Sequence, residues 1–367
     1  MKILVLGAGA IGGYFGGRLV QAGGDVRFLV RERRQRQLAE RGLVVRSPHG
    51  DFHLPVRTVT QAQLDGPADL VLLTCKAYDL EAAIASIEPA VGPDTLIVPL
   101  LNGIAHIERL QSAFGAARVA GGSCGIPATL SPDGEVRQLG AFHRIVFGAL
   151  PGTAPSAGAK FETLYSLFRA TPVDVEWADD MMLALWEKYV GLATLAAMTC
   201  LMRGAVGDIL SADEGPALMQ QTYAACEGAA RAAGHVPRDA AMAGFRAMFA
   251  ERGSALTASM LRDLEGGGRT EAVAVLWPVA AAEAAPVRRD ERVRVGQCVD
   301  QELERVAGIH PAVQQHDGLA LARPARHVVA QSAHGEAFVH RHAPRGVARV
   351  QCIGSGVHVV EDTGAAR

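Results

Sequence analysis

Lysine is almost missing from this sequence. Of the 36 basic residues only four are lysine, Lys2, Lys76, Lys160 and Lys188, and the other 32 are arginine. Arginine, with a pKa above ~12, does not release a proton in catalysis, whereas lysine does. Each lysine therefore raises the question of what arginine could not do there. The six cysteines (75, 124, 200, 226, 298 and 352) form no CxxC pair and no metal-ligand spacing. Free thiols in a reducing cytoplasm are expected, not a disulfide framework or a zinc site. No uninterrupted apolar run reaches the ~18 residues of a bilayer span. The chain starts directly in a strand, without a basic stretch leading into an apolar leader. A net charge of −2 offers no basic face to nucleic acid. The expectation is a cytoplasmic protein with neither a membrane nor a nucleic-acid partner.

What is present begins at the first residue. Met1-Lys-Ile-Leu-Val-Leu-Gly7-Ala8-Gly9-Ala10-Ile11-Gly12 is an apolar strand running into Gly-x-Gly-x-x-Gly. Gly7 suits a tight turn out of the strand. Gly9 leaves the backbone open to a pyrophosphate, and Gly12 lets the next helix pack close. The first amides of that helix then face the phosphates, with the helix dipole favouring negative charge. The strand before and the amphipathic helix after the glycines mark a dinucleotide site.

The second strand, Asp25–Val30, bears on the choice of cofactor. An NAD site places an acid about 20 residues past the motif, on the ribose 2′-hydroxyl. Here Arg31 stands at the strand end, followed by Glu32, Arg33, Arg34 and Arg36. A guanidinium there suits a 2′-phosphate, which favours NADP(H). Glu32 argues the other way, and Arg33, Arg34 and Arg36 also fit the solvated face of a helix.

Two more apolar strands end in polar residues. Asp69–Thr74 leads to Cys75-Lys76-Ala77, and Thr95–Leu101 leads to Asn102-Gly103. Both ends fall at the carboxyl edge, where open α/β sheets bind ligands. Residues 125–150 alternate short β-like runs with turns and are expected to extend this sheet. Val173–Trp177 is the last strand. From there the pattern turns helical, with one long apolar helix over Met181–Met202. Lys188 lies within it, and burial would lower its pKa and make it a proton donor near neutrality. A snorkelling lysine at the rim is the alternative. Arg269-Thr270-Glu271, after a glycine run, reads either as a helix cap or as part of a site.

The fold expected is α/β: an N-terminal Rossmann-type doubly wound sheet over residues 1–177, then an all-helical substrate domain over 178–290. An atypical, poorly ordered tail follows over 291–367.

Gly7–Gly12, Cys75-Lys76-Ala77, Asn102-Gly103, Leu185-Trp-Glu-Lys188, and Ser259-Met-Leu-x-Asp263 with Arg269-Thr-Glu271 together resemble the ketopantoate reductases (2-dehydropantoate 2-reductases). The resemblance covers residues 1–271. It implies an NADP-binding Rossmann domain joined to a helical domain, with substrate between them. It implies NADPH-dependent reduction of 2-dehydropantoate to (R)-pantoate in pantothenate biosynthesis, by a monomer or homodimer. Lys188 would be the general acid. Glu271 would bind the substrate hydroxyl, Ser259 the substrate, Asn102 nicotinamide and substrate, Lys76 the cofactor edge, and Arg31 the 2′-phosphate. The glycine-loop residues Gly7, Ala8, Gly9, Ala10, Ile11 and Gly12 would hold the pyrophosphate.

Two departures qualify the resemblance. The family carries asparagines four and eight residues past the catalytic lysine, where this chain has Leu192 and Ala196. A divergent paralogue acting on a more apolar 2-oxo acid is therefore a second reading. The segment 272–367 has no lysine or tyrosine and holds seven of the twelve histidines. No metal site is expected there; His340-Arg-His342 comes nearest to ligand spacing. The tail reads as foreign to the family, as after a reading-frame change, which leaves a non-catalytic NADP(H)-binding protein as a third reading.

Overall fold

The computed structural model describes residues 1–272 and 274–276, and beyond them the backbone of four strands between 328 and 361. Residues 1–307 and 308–367 are separate compact units.

The first unit opens with β1 (Lys2–Leu6), α1 (Ala10–Gln21), β2 (Asp25–Leu29) and α2 (Glu32–Arg41). A hairpin of β3 (Leu43–Arg46) and β4 (Phe52–Leu54) follows. Then come β5 (Arg57–Val59), β6 (Leu70–Leu73), α3 (Leu80–Ile87), β7 (Leu96–Pro99) and α4 (His106–Phe114). Strands β5-β2-β1-β6-β7 form one parallel sheet in that order. Ile3, Leu4, Val5 and all of Leu70–Leu73 are buried, as the central strands of a sheet covered on both faces require. The strand order reverses between β1 and β6. Their carboxyl ends thus border the crevice at the topological switch point, where such sheets bind ligands.

The chain continues through β8 (Gly121–Gly125), β9 (Ala128–Leu130), β10 (Val136–Gln138), β11 (Arg144–Gly148), α5 (Gly158–Arg169) and β12 (Asp174–Trp177). As expected, β8, β11 and β12 continue the edge of the parallel sheet: Val119, just before β8, bridges in parallel to Ile97 of β7, the Ala120 amide donates to the Ile97 carbonyl at 2.9 Å, and the strands run on in the order β8-β11-β12. Strands β9 and β10 depart from the expectation and build a separate sheet, β4-β3-β10-β9. The cause lies in α1, whose glycine face admits a second layer. A Cβ at Gly13 would meet Val136 at 2.7 Å, and one at Gly17 would meet Phe52 at 2.7 Å. The β3–β10 layer therefore packs on the helix instead of joining the sheet edge.

Helices α6 (Met181–Met202), α7 (Val206–Ser211), α8 (Gly215–Ala232), α9 (Asp239–Met248) and α10 (Ser259–Glu265) follow. Helix α7 went unread in the sequence, being a single short turn-rich segment. Asp180 caps α6 by accepting from the Leu183 amide at 2.9 Å. Met181 and Leu185 pack with Ile97, Leu101 and Ile107 under the parallel sheet. From Trp186 onward, α6 is the centre of the helical core. One helix thus belongs to both cores, and Lys188 sits just past the junction. By length and composition α6 is long and apolar enough to cross a membrane, but 61% of its most apolar window is buried in the protein. A charged pair also ties it down: Glu187 accepts from the Arg238 guanidinium at 2.6 and 2.8 Å while itself buried.

In the second unit, β13 (Val328–Ala333), β14 (Glu336–Ala343), β15 (Gly346–Ile353) and β16 (Gly356–Glu361) form an antiparallel meander. Helical periodicity fails here because the period is two, as in Val357-His358-Val359. Residues 277–327 and the side chains of the tail histidines lie outside the described residues.

Candidate active site

The glycine loop is built as its chemistry requires. Gly7 leaves β1 at φ +92°, which a side chain would strain. A Cβ at Gly12 would come within 2.3 Å of the Gly7 carbonyl and 2.4 Å of Thr74 Oγ1. At Gly9, among the described residues, no atom beyond the adjoining chain lies within 4 Å of such a Cβ. The protein itself does not demand glycine there, whereas a phosphate approaching the backbone does. Gly9 is also the N-cap of α1, and no side chain caps that end. The first-turn amides and the positive end of the dipole are thus offered to an anion.

Arg31, exposed, is the N-cap of α2 and stands at the end of β2 beside the loop. Arg34 turns the other way. Its Nε and Nη2 donate to the Ala8 carbonyl at 3.1 and 2.8 Å, and its Nη1 donates to the Gly134 carbonyl at 3.0 Å. Burial pulls its pKa below the usual arginine value. Arg34 is therefore a brace for the glycine loop and not part of a solvated face.

Across the crevice, Lys188 Nζ donates to the Cys124 carbonyl at 2.8 Å and to Asn102 Oδ1 at 3.4 Å. These acceptors come from the ends of β8 and β7. Burial lowers the Lys188 pKa, and the Glu271 charge opposes this only in part. His106, at the start of α4, is buried with no hydrogen-bond partner for Nε2 among the described residues. Burial and the Lys188 charge push its pKa down to about 3, so the ring next to the ammonium is neutral.

A second cluster closes the edge of the crevice. Lys76 Nζ donates to Asp263 Oδ2 at 2.8 Å and to Glu271 Oε2 at 3.4 Å. Glu271 Oε1 accepts from the Ala77 amide at 2.9 Å. Burial works against the Lys76 charge, but Glu271 and Asp263 outweigh it and raise its pKa. The Arg269 guanidinium lies over the Tyr78 ring, 4.3 Å from its centre. Burial pushes the Cys75 thiol up to about 12, which leaves it inert.

The structure thus brings Lys188 and Asn102 together, and separately Lys76 and Glu271, all at the carboxyl edge of the parallel sheet. Ser259 is the first residue of α10, which packs on α6, and is half-buried. Leu192 and Ala196 follow Lys188 by one and two turns on the same face of α6. Both pack in the helical core, Leu192 half-buried and Ala196 buried. Sequence reasoning missed Arg34 as a brace, the Cys124 carbonyl, Asp263 as a partner of Lys76, and His106. Arg34 left a signal as one of four arginines around the end of the second strand, and Asp263 left one as part of the Ser259-Met-Leu-x-Asp263 motif.

Residues 3–152 match the family described as ketopantoate reductase PanE/ApbA, and residues 180–288 match its C-terminal domain. Family-like sequence therefore runs past residue 271, where the resemblance had ended. The chain is 35% identical over 273 residues to the uncharacterized oxidoreductase YkpB of Bacillus subtilis, covering 74% of this chain and 88% of that protein. The crystal structure of 2-dehydropantoate 2-reductase from Geobacter metallireducens superposes with a TM-score of 0.70 at 30% identity, over 82% of this chain and all of that one. A ternary structure of D-mandelate dehydrogenase with NADH and anilino(oxo)acetate shares the fold, with a TM-score of 0.69 at 19% identity over 83% of this chain and 100% of that one. The chain belongs to the ketopantoate reductase family of oxidoreductases.

Proposed function

We propose that this member of the ketopantoate reductase family uses NADPH to reduce a 2-oxo acid to the 2-hydroxy acid, with Lys188 as the general acid. The observation that carries the reading is the Lys188 ammonium, half-buried and held by two carbonyl oxygens, with no carboxylate within ion-pair distance among the described residues. Two of its three N–H bonds are directed by the protein. The third has no acceptor among the described residues and is available to an oxygen in the crevice. An ammonium with a lowered pKa gives up its proton readily as negative charge builds on that oxygen.

The residues present fit a dinucleotide. Gly7, Gly9 and Gly12 with the open end of α1 would hold the pyrophosphate, and Arg31 would hold a 2′-phosphate. When bound, the nicotinamide supplies the hydride. Asn102 aims Lys188, while Lys76 and the Ala77 amide fix Glu271, which would accept a hydrogen bond from a substrate hydroxyl. The family's own reaction, 2-dehydropantoate to (R)-pantoate, is one candidate. Leu192 and Ala196 favour a second, a 2-oxo acid with a more apolar chain, because neither offers a hydrogen bond to a hydroxyl. The test is NADPH oxidation with 2-dehydropantoate and a series of branched and aromatic 2-oxo acids. NADPH binding without turnover of any of them would refute the proposal and point to a non-catalytic nucleotide-binding protein.

A further inference from the structure

Two large apolar side chains stand in solvent on the segment after β10: Leu139 is 55% exposed and Phe142 60%. One exposed apolar residue needs no explanation. These two, however, are carried by a backbone that is pinned at every step. The Leu139 amide donates to the Pro127 carbonyl at 2.7 Å. Gln138 Nε2 donates to the Gly140 carbonyl at 2.6 Å and to the Phe142 carbonyl at 3.4 Å. The Nε2–H of His49 donates to the Ala141 carbonyl at 2.5 Å. Gln138 is itself buried and accepts from the Ser47 hydroxyl at 2.7 Å. Ordering a loop costs conformational entropy. Ordering one that leaves its apolar side chains in water brings no burial in return until a ligand covers them.

The position of the loop indicates the ligand. The Phe142 ring lies directly over Gly125, where a Cβ would fall 2.5 Å from Cε1. Gly125 follows Cys124, whose carbonyl anchors Lys188 Nζ. The rim of Ile126, Pro127, Leu139 and Phe142 is therefore continuous with the proton donor's anchor, and it contains no charged or hydrogen-bonding side chain. We propose that Leu139 and Phe142 are specificity-determining residues that receive the non-reacting chain of the 2-oxo acid, and that this chain is apolar. The proposal rests on the reductase reading above.

The experiment is steady-state NADPH oxidation by the wild type, Phe142→Ala, Phe142→Leu and Leu139→Ala, with 4-methyl-2-oxopentanoate and pyruvate as substrates. The expected result is a fall of about tenfold in the ratio of kcat/KM for the longer acid over pyruvate in Phe142→Ala. The fall should be carried by KM and largely restored in Phe142→Leu. Equal losses on both acids, or a loss that appears only as a raised KM for NADPH, would overturn the proposal. An unchanged ratio with a shift in oligomeric state would overturn it too, by assigning the rim to a second copy of the chain. Wild-type protein that turns over neither these acids nor 2-dehydropantoate would sink the reductase reading along with it, whereas turnover with an unchanged ratio sinks this proposal alone.

Discussion

Lys188 donates a hydrogen bond to the carbonyl of Cys124 at 2.8 Å, an acceptor that carries no formal charge. A carboxylate in that place would raise the lysine pKa. Burial lowers it instead, from an ordinary value of 10.5. The protonated form is the one that donates, so kcat/KM should fall as pH rises, with the midpoint below 10.5. Asn102→Asp would place a negative charge beside the ammonium and should move that limb upward by about one unit or more. A pH–rate profile of wild type and variant checks both expectations. An alkaline limb that stays where it was in Asn102→Asp would contradict the placement.

Arg31 and Arg34 sit three residues apart and should fail differently. Arg31→Ala should lower the preference for NADPH over NADH by about 10- to 100-fold, the worth of one charge-assisted bond to a phosphate. Arg34→Ala frees the Ala8 carbonyl and should weaken both cofactors alike, by about tenfold. Titration of each variant with NADPH and with NADH separates the two roles.

The glycine loop and the Lys188 helix were legible because their constraints are local. Gly7, Gly9 and Gly12 answer to backbone geometry within six residues, and Lys188 stood out as one of four lysines in an apolar run. The clasp of Lys76 and Asp263 joins residues 187 positions apart, and no local period encodes such a pairing. Arg34 was hidden for a similar reason, since its partner Ala8 is a backbone carbonyl that any residue could supply. The β9 and β10 strands, in the sheet over α1, were misplaced because strand patterns reveal faces but not neighbours. Only the steric demands at Gly13 and Gly17, met in three dimensions, decide which layer forms.

Leu192 and Ala196 lie one and two turns beyond Lys188 on α6. Replacing both by asparagine adds hydrogen-bonding groups on the face that leads from the proton donor. Activity on 2-dehydropantoate should then rise about tenfold or more relative to apolar 2-oxo acids. Activity that is unchanged or lower in a stably folded double variant would count against an apolar site.

Acid should unfold the protein through its buried histidines. His106 is held down to about 3 by burial and the Lys188 charge, and His143 to about 4 by burial, His49 and Arg18, from an ordinary 6.5. Both are depressed bases, so the unfolded chain binds more protons than the native one below pH 6.5. Stability is therefore full above that value and is lost as pH falls towards 4. At pH 5 each histidine should cost about 2 kcal/mol relative to pH 7.5, at 1.36 kcal/mol per pKa unit. Urea unfolding at the two pH values should show a smaller difference in His106→Gln than in the wild type. An equal difference would remove His106 from this role.

The most direct test of proton donation by Lys188 is single-turnover oxidation of bound NADPH by a 2-oxo acid in wild type and Lys188→Met. Methionine keeps the length of the side chain and discards its proton. The rate should drop by about 10²- to 10⁴-fold while NADPH still binds. A Lys188→Met protein that binds NADPH and reduces the same acid within a few-fold of the wild-type rate would contradict the account.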